Sequence, residues 1–156
     1  MTQAEIIQIL AGFVGVVGFS VLFNIRGKRL VGAAIGGLLS WLLFVLLGLC
    51  ITDEPVRYFM VALAIALYAE VMARVMKTPT TTFIMTSLIP LIPGGSLYYA
   101  MASIFEADAN VFMPKVLYTL QLASALAIGV IVSAALTKIV HRFKKIRGYI
   151  NNSKDM

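Results

Sequence analysis

The sequence predicts an all-α, polytopic membrane protein with five transmembrane helices, the fourth broken in its middle, the N-terminus outside and the C-terminus inside. Three observations predict it. Of 156 residues, 60% are hydrophobic and 13% charged, and the mean hydropathy is +0.93. A soluble domain of this length cannot bury that much apolar surface. The apolar residues fall into five runs, each near or above the ~20 residues that a spanning helix needs. The connections between the runs alternate in basic content, as membrane orientation requires. Residues 1–140 thus read as a single transmembrane domain and residues 141–156 as a basic amphipathic cytoplasmic tail.

The first span is read over residues 5–23, Glu5 to Phe23. It is not a cleavable signal, because its first positive charge, Arg26, follows the apolar run instead of preceding it. The second covers Leu30 to Ile51 (30–51) and the third Val56 to Met76 (56–76). The fourth runs from Pro79 to Phe105 (79–105) and the fifth from Phe112 to Val140 (112–140). Arg26, Lys28 and Arg29 lie in the first connection, and Arg74 and Lys77 in the third. Lys138, Arg142, Lys144, Lys145, Arg147 and Lys154 lie at the end. These face the cytoplasm, which leaves Arg57 and Lys115 outside, beside the acids Asp53, Glu54, Glu106 and Asp108. The same count requires the fourth segment to cross. A re-entrant loop would put Glu106 and Asp108 inside and the basic tail outside.

The net charge of +6 sits in short connections and the tail, so it argues orientation and not nucleic-acid binding. In the tail, Ile139, Phe143, Ile146 and Ile150 recur at helical spacing between cations. That pattern suits a helix end lying on anionic lipids, or a docking site for a partner. Cys50 is the only cysteine and His141 the only histidine. No internal disulfide can form, and neither a metal site nor a cofactor is expected. No nucleophile is paired with a base, so an enzyme is not expected either.

The stretch "SLIPLIPGGSLYY", residues 87–99, lies inside the fourth apolar run. Thr78 can cap this helix, with Pro79 at its first position. Pro90 and Pro93 fall mid-span, where each lacks an N–H and clashes with the carbonyl four residues back. Gly94 and Gly95 lower the resistance to unwinding. Lipid tolerates a broken backbone only where protein or a water-filled cavity supplies partners. Transporters use such breaks to aim the N–H groups of a second half-helix at an anionic ligand group. Here that half-helix would begin at Gly94, Gly95 and Ser96. The competing reading is a proline kink that only shapes packing.

In the third span, Glu70 and Arg74 stand one turn apart on one face and can pair. An intramembrane carboxylate is costly and tends to face a bundle interior or cavity. Glu70 is thus a candidate proton or ammonium site. The competing reading is a pair that snorkels to the inner interface. Gln121 is the other deep polar group, suited to bonding a neighbouring helix. Small residues offer close-packing faces: Gly12, Gly15 and Gly18; Gly32 and Gly36; and Ala123, Ala127, Gly129 and Ser133.

Two stretches, "GFSVLFNIRGKRLVGAAIGGLLSW" and "EVMARVMKTPTTTFIMTSLIPLIPGGSLYYAM", resemble the threonine/serine exporter family, specifically its C-terminal five-span half. The telling order is Glu70, Ala73, Arg74, Lys77 and Pro79, then Pro90, Leu91, Ile92, Pro93, Gly94 and Gly95. In that family the halves are fused or separately encoded. The resemblance therefore implies a membrane partner carrying the first half, location in the cytoplasmic membrane, and export of small hydroxy amino acids driven by the proton gradient. Some split-pair relatives are linked to export of a dicarboxylate, succinate. A non-transporting scaffold or assembly subunit is the competing role. A first half of five spans starting inside would end outside, so the second half would start outside, as the charges require independently. The two halves would then have opposite topology, as in inverted-repeat transporters.

Overall fold

The computed structural model describes residues 3–105 and 109–152, so Glu106, Asp108 and Lys154 lie outside the described residues. For His141 and for residues 143–152 the backbone alone is described, so the amphipathic face of the tail lies outside it too. Among the described residues all regular structure is helical. Helix α1 spans Gln3–Leu22, α2 Lys28–Gly48 and α3 Glu54–Met76. Helix α4 spans Thr80–Ser87, a 3-10 turn follows at Ile89–Leu91, α5 spans Gly94–Ala102, and α6 spans Ala109–Asn152.

Three of these helices are long and apolar enough to cross a membrane: Lys28–Gly48, Glu54–Met76 and Asn110–Val140. A fourth is reached if Thr80–Ser87 and Ile89–Ala102, which meet at 43°, form one span. The apolar part of α1, Ile6–Leu22, is shorter. The 44 residues of α6 make a rod of roughly 66 Å, about twice the hydrocarbon thickness. Its backbone therefore carries the basic tail onward as helix.

Helix α3 is the centre of the bundle and packs on α2, α4 and α6. Its small face is the reason. Ala62, Ala66, Ala69 and Ala73 alternate with Tyr58, Val61 and Ile65 on the buried side. Gly129 of α6 sits so close that a Cβ there would lie 2.7 Å from the Phe59 carbonyl. On α2, Gly32 and Gly36 admit Phe83 and Ser87 of α4, and the Tyr68 hydroxyl donates to the Gly32 carbonyl at 2.8 Å. Gly37 receives Val16 of α1. Gly15 and Gly18 face open space, and Ala123 and Ala127 are exposed. The small-residue faces read from sequence are thus half used inside the chain and half left open.

Helices α3 and α6 run in the same direction. Tyr118, early in α6, donates a hydrogen bond to Glu54 at the start of α3, and Gly129 meets Phe59 to Leu63 further along both. Helix α4 begins just past the end of α3. The stretch between, residues 80–105, therefore carries the chain back to the end where α3 starts.

The entry to α4 corrects one expectation. Thr78 does not cap it. Lys77 adopts a left-handed conformation (φ 51) and the Thr78 N–H bonds the Ala73 carbonyl at 2.9 Å. This closes α3 in the manner of a Schellman motif. Thr78 is thereby committed to the end of α3, its hydroxyl is buried without a partner, and Pro79 takes the cap position of α4.

Candidate functional site

Two anchors flank Pro90. Leu88 and Leu91 enter the main core with Phe44, Tyr58, Val61, Ala62, Ile65 and Leu122, and Leu91 is fully buried. Pro90 itself approaches Gly12 of α1, where a Cβ would lie 3.6 Å from it and 3.9 Å from Trp41. The break therefore sits at the middle level of α1, α2 and α3. Its hydrogen bonds follow from the missing proline N–H groups. The Leu91 N–H bonds the Leu88 carbonyl at 2.9 Å, and the Ile92 N–H bonds the Ile89 carbonyl at 3.2 Å, tightening the chain into a 3-10 turn.

Past Pro93 the chain leaves the core. The Gly94 N–H turns back to the Ile92 carbonyl, and the first bond inside α5 runs from the Leu97 N–H to the Pro93 carbonyl at 3.0 Å. The N–H groups of Gly95 and Ser96 have no backbone acceptor, as at any helix start. Gly94 and Gly95 are exposed, and a Cβ at either would meet nothing within 4 Å. Helix α5 has its principal packing on α6. Pro90, Pro93, Gly94, Gly95 and Ser96 thus form one continuous element, buried at its proline end and open at its glycine end.

Glu70 and Arg74 do pair, at 3.3 Å. The Glu70 side chain is 22% exposed and that of Arg74 49%. Glu70 lies roughly 9 Å, or six residues, from the end of α3. It borders the face that carries Ala66, Ala69 and Ala73. The pair is thus on α3, and the free N–H groups are on α5, which leans on α6. The chain itself does not press the two against each other.

Gln121 is not deep. It is exposed and lines a cleft of about 540 Å³ with Thr52, Asp53, Glu54, Pro55, Val56, Arg57 and Tyr118. Glu54 accepts from the Tyr118 hydroxyl. The Arg57 guanidinium lies 4.8 Å over the Phe44 ring, and its Nε is shielded from solvent without an acceptor. The orientation count treats Arg57 only as an outer-loop charge. The structure puts it in the first turns of α3, half-buried. The available signal was its place one turn after Glu54, inside an apolar run. At the opposite end a groove of about 230 Å³ lies between Phe23, Ile25, Thr81, Thr82, Met85 and Thr86. The Thr86 hydroxyl there is spent on the Thr82 carbonyl at 2.9 Å.

No curated protein and no solved structure matches the chain. The family model described as Threonine/Serine exporter, ThrE, matches residues 8–136, most of its length. With helices apolar enough to span a membrane, and a family that transports solutes and is not enzymatic, the chain belongs to the threonine/serine exporter family.

Proposed function

We propose that the chain is one subunit of a secondary transporter that exports threonine and serine across the cytoplasmic membrane in exchange for protons. A membrane partner supplies the other half. The chain crosses five times, with α4, the 3-10 turn and α5 as one broken crossing. The N-terminus is outside and the C-terminus inside, where the tail rests on anionic lipids. The observation that carries the reading is the open helix start at Gly94 to Ser96, held at mid-level by Leu88 and Leu91. The free N–H groups of Gly95 and Ser96 and the positive dipole end suit the carboxylate of an amino acid, whereas the Gly94 N–H is turned back to the Ile92 carbonyl. Pro90 and Pro93 maintain the break.

Glu70 carries the exchanged proton or receives the substrate ammonium, and Arg74 holds it when the site is empty. A dicarboxylate such as succinate fits the same N–H groups but is repelled by ionised Glu70. The partner closes the pathway over the exposed glycines, over Gly15 and Gly18, and over the small residues of α6 left open.

The test is transport by vesicles or cells holding this chain alone, the partner alone, or both, with threonine, serine and succinate in parallel. Threonine and serine export is expected only with both. Full-rate transport by this chain alone would remove the partner and favour a homo-oligomer. Undiminished export by the partner alone would leave this chain the role of a scaffold. Succinate in place of the amino acids would overturn the substrate assignment.

A further inference from the structure

We propose that the cleft where α3 and α6 begin is a second amino-acid site, on the outward side, in which Arg57 binds the substrate carboxylate while Asp53 and Glu54 receive the ammonium. This rests on the amino-acid export reading above and adds a release site to it. The cleft of about 540 Å³ is within the ~300–1,000 Å³ of small-molecule sites.

Arg57 makes the case for an anion. It is half-buried, its backbone N–H bonds the Asp53 carbonyl, and among the described residues its side chain has neither a hydrogen bond nor an ion pair. Its nearest acid in sequence, Glu54, is one turn away and bonded by Tyr118 instead. A guanidinium without a direct hydrogen-bond partner in a partly desolvated place is costly. The face of Phe44 offsets only ~0.5–2 kcal/mol of that. The guanidinium packs on α2, over the Phe44 ring and with Nη1 beside Gly48, and a guanidinium fork matches a carboxylate with two parallel hydrogen bonds.

The rest of the lining selects a zwitterion. Asp53 and Glu54 give the cleft negative charge beside the cation. They repel a second carboxylate and accept from an ammonium. Gln121 adds a side-chain amide that can donate to or accept from a hydroxyl. The cleft also connects to the break. Arg57 lies on Phe44, Phe44 stacks on Trp41 at 5.3 Å, and Trp41 and Pro90 both border Gly12. A substrate leaving the open start of α5 and one arriving at Arg57 thus act on the two ends of one packed row.

Trp41 is the only tryptophan, so its emission from the purified full-length chain in nanodiscs reports on that row. The probes are L-threonine, threoninol (the same ammonium and hydroxyl without the carboxylate) and succinate. A saturable response to L-threonine is expected, with threoninol at least tenfold weaker. Arg57→Gln should weaken threonine at least tenfold, Arg57→Lys less, and Glu54→Gln several-fold. The threonine–threoninol comparison needs no variant, so misfolding cannot imitate it. Equal titrations for Arg57→Gln and the parent would overturn the site. So would the absence of any threonine response in a chain that exports threonine with its partner, an outcome that leaves the export reading standing. Arg57-dependent binding of succinate with threonine inert would overturn the zwitterion assignment and the export reading together. Loss of partner binding by Arg57→Gln, with no ligand response in the parent, would make Arg57 an interface ion pair instead.

Discussion

Glu70 and Arg74 show what a single residue contributes here and how it can be tested. An i,i+4 pair of this exposure contributes only ~0.3–0.5 kcal/mol to its helix. Glu70→Gln should therefore insert and assemble like the parent, as read by membrane fraction and size-exclusion profile. Its proton-coupled export should be lost. Gly129 is the opposite case. A Cβ there would stand 2.7 Å from the Phe59 carbonyl and 2.9 Å from Ala62. Backbone cannot yield as a flexible side chain does, so Gly129→Leu should cost ~1–3 kcal/mol or more by overpacking. Thermal denaturation in detergent should show a clear fall in its midpoint. Gly15→Leu should leave the isolated chain at the parental midpoint, since nothing lies within 4 Å. Sequence spacing puts both glycines on small faces but cannot say which face is occupied inside the chain. That depends on which helix lies opposite, and no local pattern encodes it. Arg57 was missed for the same reason, because its seat over Phe44 joins residues of two different helices.

At the scale of the element, the break was legible because proline chemistry is local. Two absent N–H groups and two glycines predict an interruption wherever the segment sits. What the sequence could not show is how it is anchored. Leu91 is fully buried among residues of α2, α3 and α6, whereas Gly94 and Gly95 are exposed. Thr78 illustrates the converse failure. A Thr-Pro pair before an apolar run reads as a helix start, but Lys77 in a left-handed conformation commits Thr78 to the end of α3. Pro93→Ala with Gly94→Ala should restore intrahelical bonding across the break. Helicity by circular dichroism should rise slightly while substrate affinity falls. The anchoring leucines and the α6 contacts are untouched, so the double variant should still insert.

For the whole molecule, the order of the helices constrains the topology. Helices α3 and α6 are parallel and residues 80–105 return between them. In a Cys50-free background, a cysteine at Asn152 should resist an impermeant thiol reagent in intact cells and react once they are opened. Ready labelling in intact cells would reverse the assigned orientation. The apolar runs made most of this legible, because lipid demands them. The first run is the exception, since Ile6–Leu22 is short for a span, and Gly15 and Gly18 on it face open space. The central claim is that the broken helix and Glu70 belong to the transport pathway. Threonine transport driven by an imposed proton gradient in proteoliposomes holding the two-subunit complex tests it most directly, comparing the parent with Glu70→Gln and with Pro93→Ala/Gly94→Ala. The account predicts that Glu70→Gln loses proton-driven export and that the double variant loses substrate affinity, with assembly normal in both. Normal assembly with export at the parental rate in both variants would contradict it.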